Sequence, residues 1–255
     1  MTPTVSQITL EPETLLAFEA YVGEAETAMD DTARGGRCIL WSDAKPDRTQ
    51  RVAKGEILAE LWKGKEPVAV PHGLIHDWVG AASVPGVNID RILALIQDYD
   101  NHKNIYKPEV IDSKLLNRHG DDFKIYLRLL KKKVITVVLD TDHDVHYSRL
   151  NSSCGFCRSH STRIAEVEDA GKPQEKVLPA DTGYGFLWRL YSYWTFQQRG
   201  DATVIECRAI SLTRDIPTAL KWIIQPIVRK LPKESLVNTL AATRKAAVTD
   251  FGSTP

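Results

Sequence analysis

Phe186-Leu187-Trp188-Arg189-Leu190-Tyr191-Ser192-Tyr193-Trp194-Thr195-Phe196-Gln197 is followed, across Gln198-Arg199-Gly200-Asp201, by Thr203 to Thr213 and then by a long apolar-periodic segment opened by Pro217. The first two runs alternate with strand period and are joined by a glycine-containing turn, the pattern of an antiparallel hairpin. Pro217 suits the first turn of a helix. The stripe of that helix is Leu220, Ile223, Ile224, Ile227, Val228 and Leu231, continued by Leu236, Leu240 and Ala247, with kinks expected at Pro226 and Pro232. An antiparallel sheet must have one face covered, and this terminal helix is the long element available to cover it.

Upstream of the hairpin the chain is nearly all strand. Val110–Leu116, Phe123–Leu130, Val134–Leu139, Val145–Leu150 and Arg158–Val167 read as successive strands. Before them, Asn88 is placed to cap a helix with Ile92, Leu93, Leu95 and Ile96 on its apolar face, and Tyr99–Tyr106 reads as a second short helix or turn. Glu56–Trp62 and Val68–Val84 are extended. Residues 12–30 form a helix on the spacing of Leu15, Phe18, Val22, Ala25 and Met29, whereas 31–54 read as a loop with one short strand at Cys38–Trp41. The expected division is an N-terminal helix and irregular extension over 1–54, a ligand-binding domain over 55–248 and a tail over 249–255. The fold class is α+β: a curved antiparallel sheet wrapped around a long C-terminal helix, with two short helices and an N-terminal helical extension.

Several stretches carry a resemblance to a known superfamily: Trp78-Val79-Gly80-Ala81 leading to Pro85-Gly86, Gln97-Asp98-Tyr99 before Tyr106-Lys107-Pro108-Glu109-Val110, Gly185 to Tyr191, and Ile205-Glu206-Cys207-Arg208-Ala209 followed by Arg214-Asp215-Ile216-Pro217. Over residues 55–248 the chain resembles the helix-grip proteins of the START and birch-pollen-allergen-like (SRPBCC) superfamily. The resemblance implies a hydrophobic cavity that binds or transfers lipids, sterols or polyketide-like molecules. Some relatives of this fold are enzymes.

Strand alternation selects the cavity wall. Phe186, Trp188, Leu190, Trp194 and Phe196 share one face; Ile205, Cys207 and Ala209 share another; Phe123, Ile125, Leu127 and Leu129 form a third set, with Lys124, Tyr126 and Arg128 opposite. Trp78, Tyr106, Ile223 and Ile227 are expected to complete the wall. Arg189, Tyr191 and Tyr193 lie in the other register and read as an outer-face ladder. A sharper reading makes that register a polar floor for a ligand head group, with Arg163 and Glu206 as its buried pair. The competing reading of the apolar sets is a solid core without a cavity.

Other chemistry is weakly supported. Cys154-Gly155-Phe156-Cys157 falls at a hairpin rather than opening a helix, which disfavours a redox motif. His143, His146, Cys154, Cys157 and His160 offer zinc-ligand types, but extended residues three apart point to opposite faces, so no metal is expected. Asp140-Thr141-Asp142-His143-Asp144 lacks the glycine and the final acid of a calcium loop and reads as a solvated strand end. No glycine-rich phosphate loop is present, and no cofactor is expected. The 33 Lys+Arg balance the 33 Asp+Glu, which argues against a nucleic-acid partner. Lys131-Lys132-Lys133 reads as a solvated edge, with transient contact to an anionic membrane surface as the alternative. No leader-like segment and no apolar run of membrane-spanning length stand in the chain, so the expected location is soluble and cytoplasmic unless a leader has been removed. The reading favoured is a non-catalytic binder of a hydrophobic small molecule or lipid. The alternatives are a cyclase, dehydratase or hydrolase using the same cavity, with His76, Glu206 and Tyr191 as its titratable groups, or a partner-binding module with a filled core and Trp41 and Trp62 at its interface.

Overall fold

A computed structural model of the protein describes residues 7–36, 38–64, 67–132, 136–215 and 221–249; the side chains of Ala33 and of residues 221–229 lie outside the description. The chain enters through strand β1 (Ile8–Thr9) and helix α1 (Pro12–Arg34), then a 3-10 turn (Trp41–Ala44) and helix α2 (Pro46–Ala53). Strands β2 (Leu58–Leu61), β3 (Val68–Val70) and β4 (Gly73–Val84) lead to α3 (Ile89–Gln97) and α4 (His102–Ile105). Then follow β5 (Val110–His119), β6 (Asp122–Lys132), β7 (Thr136–Asn151), β8 (Cys154–Glu168), β9 (Lys176–Val177), β10 (Thr182–Gly183), β11 (Arg189–Arg199), β12 (Ala202–Arg214) and α5 (Lys221–Thr249).

The main sheet is ten-stranded and runs β2-β4-β12-β11-β8-β7-β6-β5, with β3 added beside β4 and β9 beside β8. All its pairings are antiparallel. Helix α5 packs on one face, against β4, β12, β2, α3 and α4. Its approach is set at Gly80: a Cβ there would stand 2.8 Å from Leu240 Cδ1, 2.8 Å from the Leu58 carbonyl and 3.2 Å from Leu236 Cδ2. Only the bare backbone admits Leu236 and Leu240 at that depth. Around them close Ala82, Val84, Ile92, Ile96, Tyr99, Phe123, Tyr147, Cys157, Phe196, Ile205 and Cys207, the main core. Asn88 caps α3 as expected, its Oδ1 accepting from the Arg91 N–H at 2.9 Å.

The opposite face is covered as well. Phe18, Val22 and Ala25 of α1 bury against Ile75, Trp188, Tyr193, Ile210 and Leu212. Beyond α1, Leu40 and Val52 bury against Leu58, Ala81 and Val204. The segment 31–54 is therefore not a loop with a strand: Pro46 opens α2, whose inward side is only Arg48 and Val52, too narrow a stripe to register as periodic. Nor is β7 two strands. Asp140, Asp142 and Asp144 lie on the outer register of one continuous strand, where Arg128, Arg163 and Lys124 pair with them. Helix α5 continues through Pro226 and Pro232 as one assigned helix, while its expected start at Pro217 and the tail beyond Thr249 lie outside the described residues.

Gly80→Ala is expected to destabilise the fold by about 1–3 kcal/mol through overpacking, whereas Gly86→Ala, in a turn with open space, is strained only by its positive φ of 68°. Urea unfolding of both variants checks this, and Gly80→Ala should also lose α5 packing, read as a lower midpoint with the α5-facing tryptophan emission red-shifted.

Candidate functional site

Register places the inward-facing residues in rungs across the sheet. One rung runs Gly80, Cys207, Trp194, Cys157 and Tyr147, and all five are buried. The next rung ends on β7 at Val145, which is buried in the main core, after Trp78, Ala209, Ser192 and Ser159. Each of these last four is only partly buried. Exposure thus rises locally across β4, β12, β11 and β8, before His76, Ser211, Ser161 and His143 on the following rung are buried again; this local opening is the trough. Leu190, Leu127 and Leu129, also partly buried, continue it.

The trough is polar in an unusual way: its buried polar groups are hydroxyls and imidazoles. His143 is 4% exposed; its Nε2 lies 3.0 Å from Thr141 Oγ1 and its Nδ1 3.4 Å from Ser159 Oγ. Thr141 Oγ1 donates to the Leu127 carbonyl at 3.0 Å, so the hydroxyl accepts from the imidazole Nε2–H. His76, fully buried, repeats the motif on β4: its Nε2 lies 3.1 Å from Thr213 Oγ1, and that hydroxyl donates to the Arg214 carbonyl. Burial lowers both histidines to about 4, so both are neutral at pH 7. A bulge at Asp142/His143 sets His143 opposite Ser161, whose Oγ accepts from the Leu190 N–H at 2.9 Å. His102, the first residue of α4, donates its Nε2–H to the Ile96 carbonyl at 2.8 Å and is likewise lowered to about 4 by burial.

No protein-family model matches the chain, and no curated protein does. Solved structures with partial similarity to the chain exist. A STAR-related lipid transfer protein fragment from Xanthomonas axonopodis is 17% identical over 74% of this chain and 98% of its own, with a TM-score of 0.48. A START superfamily protein from Mycobacterium smegmatis is 12% identical over 70% and 99%, with a TM-score of 0.46. The Zhui aromatase/cyclase from Streptomyces sp. R1128 is 10% identical over 69% and 96%, with a TM-score of 0.44. By its own strand order and C-terminal helix packed on one sheet face, this chain has an α+β helix-grip arrangement.

Of the residues expected on the wall, Trp78, Ile125, Leu127, Leu129, Leu190, Trp194, Ile205, Cys207 and Ala209 do face α5 by register. They divide, however. Ile125, Trp194, Ile205 and Cys207 belong to the closed core, where Ile205 is fully buried. Tyr106 is also closed off, its hydroxyl 3.1 Å from Thr243 Oγ1 on α5. Ile223 and Ile227 lie among the residues whose side chains are not described.

Three expected wall residues are on the wrong side. Trp188 precedes the first residue of β11, so the alternation does not extend to it, and its ring packs in the α1 cluster. Glu206 faces outward and accepts from the backbone N–H groups of Trp41 and Ser42 at 2.6 and 2.8 Å; burial raises its pKa. Arg163 does not pair with it: the guanidinium lies 3.4 Å from Asp142 on the outer register, with its side chain 39% exposed. The polar floor is accordingly an outer-face ladder. There Arg208 makes a two-pronged bond to Asp77 at 2.9 and 2.6 Å, Tyr21 of α1 donates to Asp77 at 2.7 Å, and Tyr193 donates to Glu26 at 3.0 Å. His160 stacks on Tyr191 at 4.2 Å and its hydrogen bond holds the Glu26 carboxyl below its usual range. Trp41 and Trp62 are not bare either, since Arg48 and Arg208 lie over their rings at 3.9 and 4.0 Å.

The CxxC is split. Cys154 forms a disulfide with Cys38, and Cys157 is a buried thiol raised to about 12 by burial. Among the described residues no group of three or more His, Cys, Asp or Glu is placed to hold a metal. His76 and His143 were visible only as isolated histidines; their alternation with Trp78 and Val145 was the signal that places them inward.

Because the folded-state values of His76, His102 and His143 lie below the unfolded value near 6.5, the unfolded state gains protons first on acidification. Stability present above pH 6.5 is lost as pH falls toward 4, with a limiting slope of roughly 1.4 kcal/mol per pH unit for each histidine. Urea midpoints between pH 7.5 and 4 check this; His143→Asn should flatten the slope, and an unchanged slope contradicts it.

Proposed function

We propose that the protein binds a mostly apolar small molecule or lipid in the trough between the sheet and α5, for storage or transfer. The observation that carries this reading is the abrupt change from the fully buried rung at Cys207 to the partly accessible rung at Ala209. A core that filled the interface would bury both. Trp78, Leu127 and Leu190 supply apolar contact, and about 300 Å² of ligand surface buried there contributes roughly 7 kcal/mol before entropic costs. The neutral histidines give the trough hydrogen-bonding groups without the desolvation penalty of a charge. Among the described residues no helix is long and apolar enough to cross a membrane.

N-phenyl-1-naphthylamine, a neutral fluorophore that brightens in apolar sites, tests the reading. Saturable binding near one per chain is expected, and Ala209→Trp, which fills the trough, should weaken it at least tenfold. Lys124→Trp, on the exposed outer register, should leave it unchanged. Binding indifferent to Ala209→Trp contradicts the proposal.

A further inference from the structure

The ligand's chemical class is written in the hydrogen-bond directions at His76. Thr213 Oγ1 spends its proton on the Arg214 carbonyl and therefore accepts from the His76 Nε2–H. The neutral ring's remaining nitrogen, Nδ1, is then an acceptor. That Nδ1 is buried and has no partner among the described residues. An acceptor buried without a donor is costly, and native structures leave few of them. His143, four strands away across β12, β11 and β8, shows the satisfied version, with both ring nitrogens matched to hydroxyls.

The sheet wall of the trough carries no formal charge among the described residues, and on the helix side Lys233 Nζ stands 6.0 Å from the Trp78 ring at the mouth. By register, the inward positions about the trough are His76 and Trp78 on β4, Ala209, Ser211 and Thr213 on β12, Leu190 and Ser192 on β11, Ser159 and Ser161 on β8, and Thr141 and His143 on β7. None carries a formal charge at pH 7. Glu166, further along the same face by register, is committed to the backbone N–H groups of Tyr184 and Phe186 at 2.8 and 3.0 Å. A carboxylate, phosphate or ammonium brought as far as the His76 rung would meet no counter-charge on the sheet wall and would forfeit its hydration.

We infer that the trough selects an uncharged, mostly apolar ligand bearing a hydroxyl, and that this hydroxyl donates to His76 Nδ1. The inference rests on the trough reading and narrows it: fatty acids and phospholipids are disfavoured, while neutral alcohols and phenols of apolar skeleton are favoured.

The test is displacement of N-phenyl-1-naphthylamine from the full chain by three probes of matched length: 1-decanol, 1-methoxydecane and decanoate. The alcohol should displace at a concentration at least fivefold below its methyl ether, which lacks the donor, and at least tenfold below the carboxylate. His76→Phe keeps an apolar ring and removes the acceptor, so the alcohol-to-ether preference should collapse to near one while ether binding stays within twofold. Thr213→Val provides a second reading, independent of whether His76→Phe folds. Without its Nε2 anchor the ring is free to carry its proton on Nδ1, and the preference should shrink. Equal displacement by alcohol and ether in the native chain, as a water resident at Nδ1 would give, overturns the inference and leaves the trough reading standing. So does a preference for decanoate. Failure of the fluorophore itself to bind overturns the trough reading and this inference with it.

Discussion

The contact of α5 with the bare backbone at Gly80 governs the architecture. Leu236 and Leu240 descend there to a depth that no side chain on β4 would permit. With the C-terminal half of the helix seated so deeply, the rungs on that side close into continuous core with Phe196, Ile205 and Tyr147. The helix meets the sheet through small residues at one end, and the next rung, where Trp78 replaces glycine, is the first that stays partly open. The close seat at Gly80 and the local opening at Trp78 are thus two residues apart on one strand.

The two faces of the sheet solve different problems. The outer face, under α1, buries charge, and there Arg208 is matched to Asp77, Glu26 to His160 and Tyr193, and Glu206 to the amides of the 41–44 turn. Arg158 and Asp30 extend the set to the end of α1. A buried pair of this kind costs most when one partner is lost, which makes it a device for holding α1 in one place. Among the described residues the sheet wall of the trough carries no such pair and presents neutral donors and acceptors. The polarity that the hairpin sequence displays is therefore spent on attaching a helix, not on holding a ligand.

Much of this was legible before coordinates. Period-two alternation gave the inward sets of β6 and β12 correctly, because both strands keep regular pairing through those residues. The Asn88 cap and the apolar stripe of α1 were equally readable, since both are local. What failed was non-local. Trp188 was assigned by extending an alternation past the start of its strand. Glu206 was judged by its sign rather than by its register beside Ile205 and Cys207. The carboxylates of β7 looked like a strand end because their partners, Arg128 and Lys124, sit on the neighbouring strand. The link of Cys38 to Cys154 spans 116 positions and has no sequence signature. Which inward residues are core and which are trough also escaped, for that depends on how deep α5 sits at Gly80.

Photoaffinity labelling with a diazirine-bearing decyl alcohol, followed by peptide mapping of the full chain, tests the central claim most directly. The account predicts saturable adducts confined to Trp78, the Leu190–Ser192 segment and the Ala209–Thr213 segment, competed by unlabelled decanol. Saturable adducts on the outer face around α1, or labelling that excess decanol does not suppress, would contradict it.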